Sequence, residues 1–253
     1  MKKIFSFLLL LLLYTGVFAK CGSNAITPIS DNTTIHKNSV IILEFYGSSQ
    51  LLINELGKKH LIYLKNGDQQ IMLVSQEVLK GEMQLTQVVF KPLTQPEEGS
   101  RYELVISNLK ENERPTRFNP GNDKFEPIYY TFTAAAITTA PVFTMAPQEV
   151  KKTMCRYGCG PAKWVYYKIA PENKENYVRT FVKNLTTGKT TAFILAVEDN
   201  MIKVGHGMCA GAFTFDPENL YEIAFRLEDH SGNYSQQTAA VILKQPDTFT
   251  GTD

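Results

Sequence analysis

The run Leu220-Tyr221-Glu222-Ile223-Ala224-Phe225-Arg226-Leu227-Glu228 constrains this chain more than any other. Tyr221, Ile223, Phe225 and Leu227 alternate with Glu222, Ala224, Arg226 and Glu228, the period-two pattern of a strand with one buried face. Ser231-Gly232-Asn233 then supplies a turn, because Gly and Asn tolerate positive φ. The same opening appears about 120 residues earlier in Tyr102-Glu103-Leu104-Val105-Ile106. A hairpin signal keeps that offset. Asn66-Gly67 lies between two strand-like runs, and Leu185-Thr186-Thr187-Gly188 lies between two more. Two signals repeated at one domain-sized spacing predict two tandem β-sandwiches and an all-β fold.

The remaining segments fit that plan. Ser39 to Tyr46, His60 to Lys65, Gln69 to Val74, Val88 to Phe90 and Ile128 to Thr133 read as strands of a first unit, residues 25–136. Residues 110–127 are polar and read as a long loop. Thr138-Thr139-Ala140-Pro141 reads as a linker. In a second unit, 141–246, strands are expected at Trp164 to Ile169, Tyr177 to Lys183, Thr190 to Val197, Tyr221 to Leu227 and Ala239 to Leu243, with a polar tail at 247–253. No amphipathic helix is expected.

The first 19 residues read as an export signal. Lys2 and Lys3 precede a short Leu-rich run, and Val17-Phe18-Ala19 places small residues where a signal peptidase cuts. The apolar run is too short to span a bilayer, and no later segment reaches 18 apolar residues. Without the leader, 24 Lys and Arg face 25 Asp and Glu, so charge gives no reason to expect nucleic acid. Export places the four cysteines, Cys21, Cys155, Cys159 and Cys209, where disulfides form. Cys159 and Cys209 sit among small residues that let two backbones approach, so that bridge is favoured, with Cys155–Cys159 as its rival.

The first unit resembles the bacterial Ig-like domains repeated in surface-layer and other envelope proteins, through Pro28 and its turn, Val40 to Phe45, Tyr102 to Ile106 and Tyr130-Thr131-Phe132-Thr133. The second resembles the fibronectin type III and Ig-like group, through Asp229-His230-Ser231-Gly232-Asn233 and a closing strand. Cys21-Gly22-Ser23-Asn24 is similar to the acylated start of a bacterial lipoprotein, although Lys20 departs from that pattern. These resemblances imply a protein of the periplasm, cell surface or medium whose partner is a protein or glycan of the envelope. A lipid anchor at Cys21 is the alternative to cleavage after Ala19.

Few residues invite chemistry. The four histidines, His36, His60, His206 and His230, are scattered, and no nucleophile elbow, zincin helix or phosphate-cradling glycine loop is present. No enzyme and no cofactor is therefore expected. Gly205-His206-Gly207-Met208-Cys209 offers soft copper ligands but lacks the second histidine and the ligand order of a blue-copper loop. Glu228, Asp229 and Asn233 could offer oxygens to calcium or simply bond their own turn. Trp164 and Tyr166 share one strand face and form either a sugar-stacking platform or part of the core.

Overall fold

A computed structural model describes residues 24–134, 139–171, 177–246 and 250. The leader, Cys21 and most of the tail lie outside this set. The first half contributes β1 (Ala25–Pro28), β2 (Thr34–His36), β3 (Ile41–Tyr46), β4 (Ile62–Asn66), β5 (Gln69–Lys80), β6 (Leu85–Pro92), β7 (Arg101–Ile106), β8 (Thr116–Asn119), β9 (Lys124–Pro127) and β10 (Tyr129–Thr133). The second contributes β11 (Phe143–Tyr157), β12 (Gly160–Pro171), β13 (Tyr177–Asn184), β14 (Thr190–Ala196), β15 (Met201–His206), β16 (Tyr221–Glu228) and β17 (Val241–Leu243). Two short 3₁₀ segments, Gly47–Glu55 and Glu111–Glu113, are the only helical elements among the described residues.

Eight of the ten first-half strands form one ladder in the order β1-β3-β6-β5-β4-β7-β10-β2, folded over at β5, and β8 and β9 pair separately. Residues 69–72 of β5 pair with β4, and residues 73–80 pair with β6 across a bulge between Ser75 and Glu77. A bulge bends its strand and increases local twist. The two arms enclose Leu43, Phe45, Leu64, Val88, Phe90, Tyr102, Ile128 and Phe132. In the second half, β11-β12-β15 faces β14-β13-β16-β17 across Val165, Tyr167, Ile169, Phe193, Val204, Ile223, Phe225 and Leu227. The chain is thus all-β, built of Ig-like sandwich sheets.

One strand order occurs in both halves. The order β5-β4-β7-β10 recurs as β14-β13-β16-β17. Tyr102 and Tyr221 open equivalent strands for one physical reason. Each phenol oxygen accepts a hydrogen bond from a backbone N–H five residues upstream, Glu97 at 3.2 Å and Asp216 at 2.8 Å. This is the tyrosine corner that pins the loop entering such a strand.

Three expectations are corrected. Asn66 pairs with Gln69, so the hairpin loop is Gly67-Asp68 rather than Asn66-Gly67. Of the two, only Gly67 takes positive φ, the pattern of a type II′ turn. Residues 110–127 are not one loop but hold the β8–β9 hairpin, whose strands pair Phe118 with Phe125. Finally, neither Cys155 nor Cys159 is part of a disulfide, so Cys159–Cys209 and Cys155–Cys159 are both unformed. Cys155 points into the buried side of β11 opposite Ala162, whereas Cys159 tops the Gly158-Cys159 turn. The Cys209 loop closes on itself through Gly207 N–H to the Ala210 carbonyl at 2.9 Å.

The two halves share apolar packing. Val40, just before β3, and Ile42, Leu79, Leu85 and Val89, on the outward face of β3, β5 and β6, belong to the same buried cluster as the second-half core. One sheet of the first half is therefore buried on both faces, which alternation in its strands could not reveal.

Candidate functional site

The junction between the halves is polar at its centre. Arg179 of β13 donates to both Glu77 oxygens at 2.8 and 2.7 Å, and to Glu228 at 2.8 and 3.3 Å. Glu82 accepts from the Thr191 hydroxyl at 2.7 Å, from Thr214 N–H at 2.8 Å and from the Thr214 hydroxyl at 2.9 Å, with Lys189 at 3.0 Å. Burial alone would raise the Glu82 pKa. The Thr214 N–H, the two hydroxyls and Lys189 outweigh it, and the carboxyl is held below its ordinary range.

Glycines make the junction close. A Cβ on Gly211 would stand 2.3 Å from His206 Cα, and one on Gly205 would stand 2.0 Å from the Lys163 carbonyl oxygen. Gly211 bridges to both Met83 and His206. The small residues around His206 therefore serve backbone approach. His206 is buried, bonds the adjacent Gly207 carbonyl through Nδ1, and has its pKa lowered first by desolvation and then by nearby Lys163. Among the described residues, no three of His, Cys, Asp and Glu converge to hold a metal ion. The possible calcium oxygens are engaged in a turn: Asp229 accepts from Ser231 and Asn233 N–H and from the Asn233 side chain, and Glu228 pairs with Arg179.

Beside this junction opens a cleft of about 220 Å³. The edge strands β14 and β15 flank it, and β3 supplies Glu44 and Tyr46. Trp164 lines it. Along β12, Val165, Tyr167 and Ile169 are buried while Trp164 and Tyr166 are half-buried on the opposite face, so the indole lies outside the core. Gly205 is the register partner of Trp164 on β15, and Gly207 approaches the indole edge, a Cβ there falling 3.7 Å from Cζ2. Tyr166 lies between Lys151 and Lys203 on the neighbouring strands, with the Lys151 ammonium 5.4 Å from its ring centre.

Glu44 was not singled out by the sequence. Its alternation in β3 reads as a solvated position, yet in the fold it lies against Tyr46 and Gln87 of the first half and shares a cleft with residues of β14 and β15. Burial raises its pKa, partly offset by hydrogen bonds donated by the Tyr46 hydroxyl and by Gln87 Nε2 at 2.9 Å. At the rim, Lys203 pairs with Glu198 at 3.1 Å. A second concavity of about 500 Å³ lies against β7 beneath the β8–β9 hairpin.

No family model and no curated protein matches the sequence. Among solved structures, the chain is similar to the FN1–FN3 domains of chicken CNTN1, at 8% identity over 88% of this chain and 68% of that one, with a TM-score of 0.25. It is similar to the N-terminal part of the bacterial S-layer protein SbsC, at 12% identity over 90% of this chain and 44% of that one, with a TM-score of 0.27. Pullulanase from Anoxybacillus sp. LM18-11 aligns at 10% identity over 82% of this chain and 24% of the enzyme, with a TM-score of 0.24. The chain spans about a quarter of the pullulanase and under half of the S-layer fragment. Scores this low carry no argument about function. Among the described residues no helix is long and apolar enough to cross a membrane.

Proposed function

We propose that this chain is an exported, non-catalytic module of the bacterial envelope or cell surface, adhesion-like in use. Two sandwiches, 25–136 and 141–246, would act as one stiff spacer that offers its outer loops and junction cleft to a partner. The observation that carries this reading is Arg179, buried and clamped between Glu77 of the first half and Glu228 of the second. A buried guanidinium with several charge-assisted bonds fixes geometry in a way a flexible linker cannot. The leader at 1–19 supplies the export. Fractionation of producing cells, with protease shaving of intact cells, tests the proposal. Recovery with the envelope or medium is expected, and recovery from the cytosol would overturn it.

A further inference from the structure

We propose that the cleft beside Trp164 binds an uncharged saccharide chain, one ring against the indole and the next against Tyr166. This deepens the interaction-module reading and rests on it only for where the glycan would be met.

The argument begins with the indole. A half-buried indole on the face opposite the core presents a flat apolar surface on which a ligand can stack. Gly205 leaves no side chain on β15 directly across from Trp164. Two residues along the same face, about 7 Å by strand geometry, Tyr166 continues the aromatic row. A cleft of about 220 Å³ is smaller than the roughly 300–1,000 Å³ of sites that enclose a drug-sized ligand. It suits one ring of a chain that runs on past the rim.

Charge selects the ligand class. Among the described lining residues the acids are Glu44 and Glu198, and the one cation, Lys203, is already paired with Glu198. Inside the cleft, phosphates and uronic acids would meet two carboxylates with no unpaired lining cation, the Lys151 ammonium lying beyond it, 5.4 Å from the Tyr166 ring. Hydroxyl groups, by contrast, donate to carboxylates in strong charge-assisted bonds. An uncharged polyol with a flat C–H face satisfies both the aromatic and the acidic parts of the lining.

Trp164 is the single tryptophan in the chain, so its emission reports this site alone. The test titrates purified full-length mature protein with neutral β-1,4-glucose, α-1,4-glucose and β-1,4-N-acetylglucosamine oligomers, with oligogalacturonate as the charged contrast. At least one neutral oligomer is expected to shift the emission saturably, with oligogalacturonate at least tenfold weaker. By calorimetry, Trp164→Ala should lose at least tenfold in affinity. Tyr166→Ala should lose severalfold for oligomers and little for a monosaccharide. Trp164→Phe, which keeps an apolar ring, should hold the wild-type melting temperature and recover part of the affinity. No response to any neutral oligomer at millimolar concentration, preference for the charged one, or Trp164→Ala binding as wild type would each overturn the proposal. An envelope-located protein with no saccharide response removes the cleft site alone. Saccharide binding by a protein recovered from the cytosol removes the envelope reading alone.

Discussion

Gln87 pairs with Ile194 as if it were another strand. Its Nε2 donates to the Ile194 carbonyl at 2.7 Å, and its Oε1 accepts the Ile194 N–H at 3.0 Å. Ile194 lies on β14, the terminal strand of its sheet, so one side chain from the first half satisfies an edge peptide of the second. Exposed strand edges invite unwanted pairing, and covering one removes that hazard. Gln87→Leu would leave both backbone groups unsatisfied in a buried place. Urea unfolding should show a loss of about 2–4 kcal/mol, and a loss under about 0.5 kcal/mol would refute the role.

Arg179 joins two carboxylates of unequal burial. The Glu228 side chain is 7% exposed, whereas that of Glu77 is 42% exposed. Arg179→Met should destabilise by about 3–5 kcal/mol, because it strands a buried charge. Glu77→Gln should cost under about 1 kcal/mol, since solvent screens that arm. A double-mutant cycle by chemical denaturation checks the ordering, which would be reversed if the solvent-side arm were dominant.

Glu82 and Glu44 give opposite pH dependences. The Glu82 pKa lies below the ordinary 4.5, so its stabilisation is fully present above that value and is lost as pH falls through the lowered one. Glu44 lies above 4.5, so the folded state loses stability relative to the unfolded one as pH rises from 4.5 through the raised value. Melting curves should show Glu82→Gln less stable than wild type at pH 7, with the gap closing toward pH 3. Glu44→Gln should gain on wild type as pH rises. Parallel pH profiles for wild type and both variants would contradict this.

The tyrosine corners should be energetically alike. Tyr102→Phe and Tyr221→Phe each remove one acceptor from a backbone N–H and should each cost about 0.5–1.5 kcal/mol. Tyr102 also donates to Gln69 at 3.0 Å, so its substitution should sit at the upper end. Equilibrium unfolding of the two variants measures both.

Trp164 emission should be red-shifted relative to a buried indole and readily quenched by acrylamide. With Glu44 and Glu198 nearby, cesium should quench it more than iodide at low ionic strength, and added salt should narrow the difference. A blue-shifted, quencher-protected spectrum would place the ring in a core and remove the cleft platform.

Much of this architecture was legible in the residues. Period-two alternation in Tyr221 to Glu228 and Tyr102 to Ile106 identified two equivalent strands, and their shared tyrosine proved to be a shared corner. Alternation also put Trp164 and Tyr166 on one face, but not on which side of the sheet the core would fall. The β8–β9 hairpin is not legible in the sequence because its strands are four residues long and its Phe118–Phe125 pair faces out, leaving no apolar periodicity to read.

Strand period, turn chemistry and the near balance of charge are local properties, and they alone determined an all-β chain. Tertiary structure decided the rest: that an outward face of β3, β5 and β6 is buried a second time, that Arg179 and Gln87 find their partners about a hundred residues away, and that Glu44 and Trp164 line one cleft. Burial on a second face depends on which surfaces two folded sheets present to each other. No spacing along a single strand carries that information.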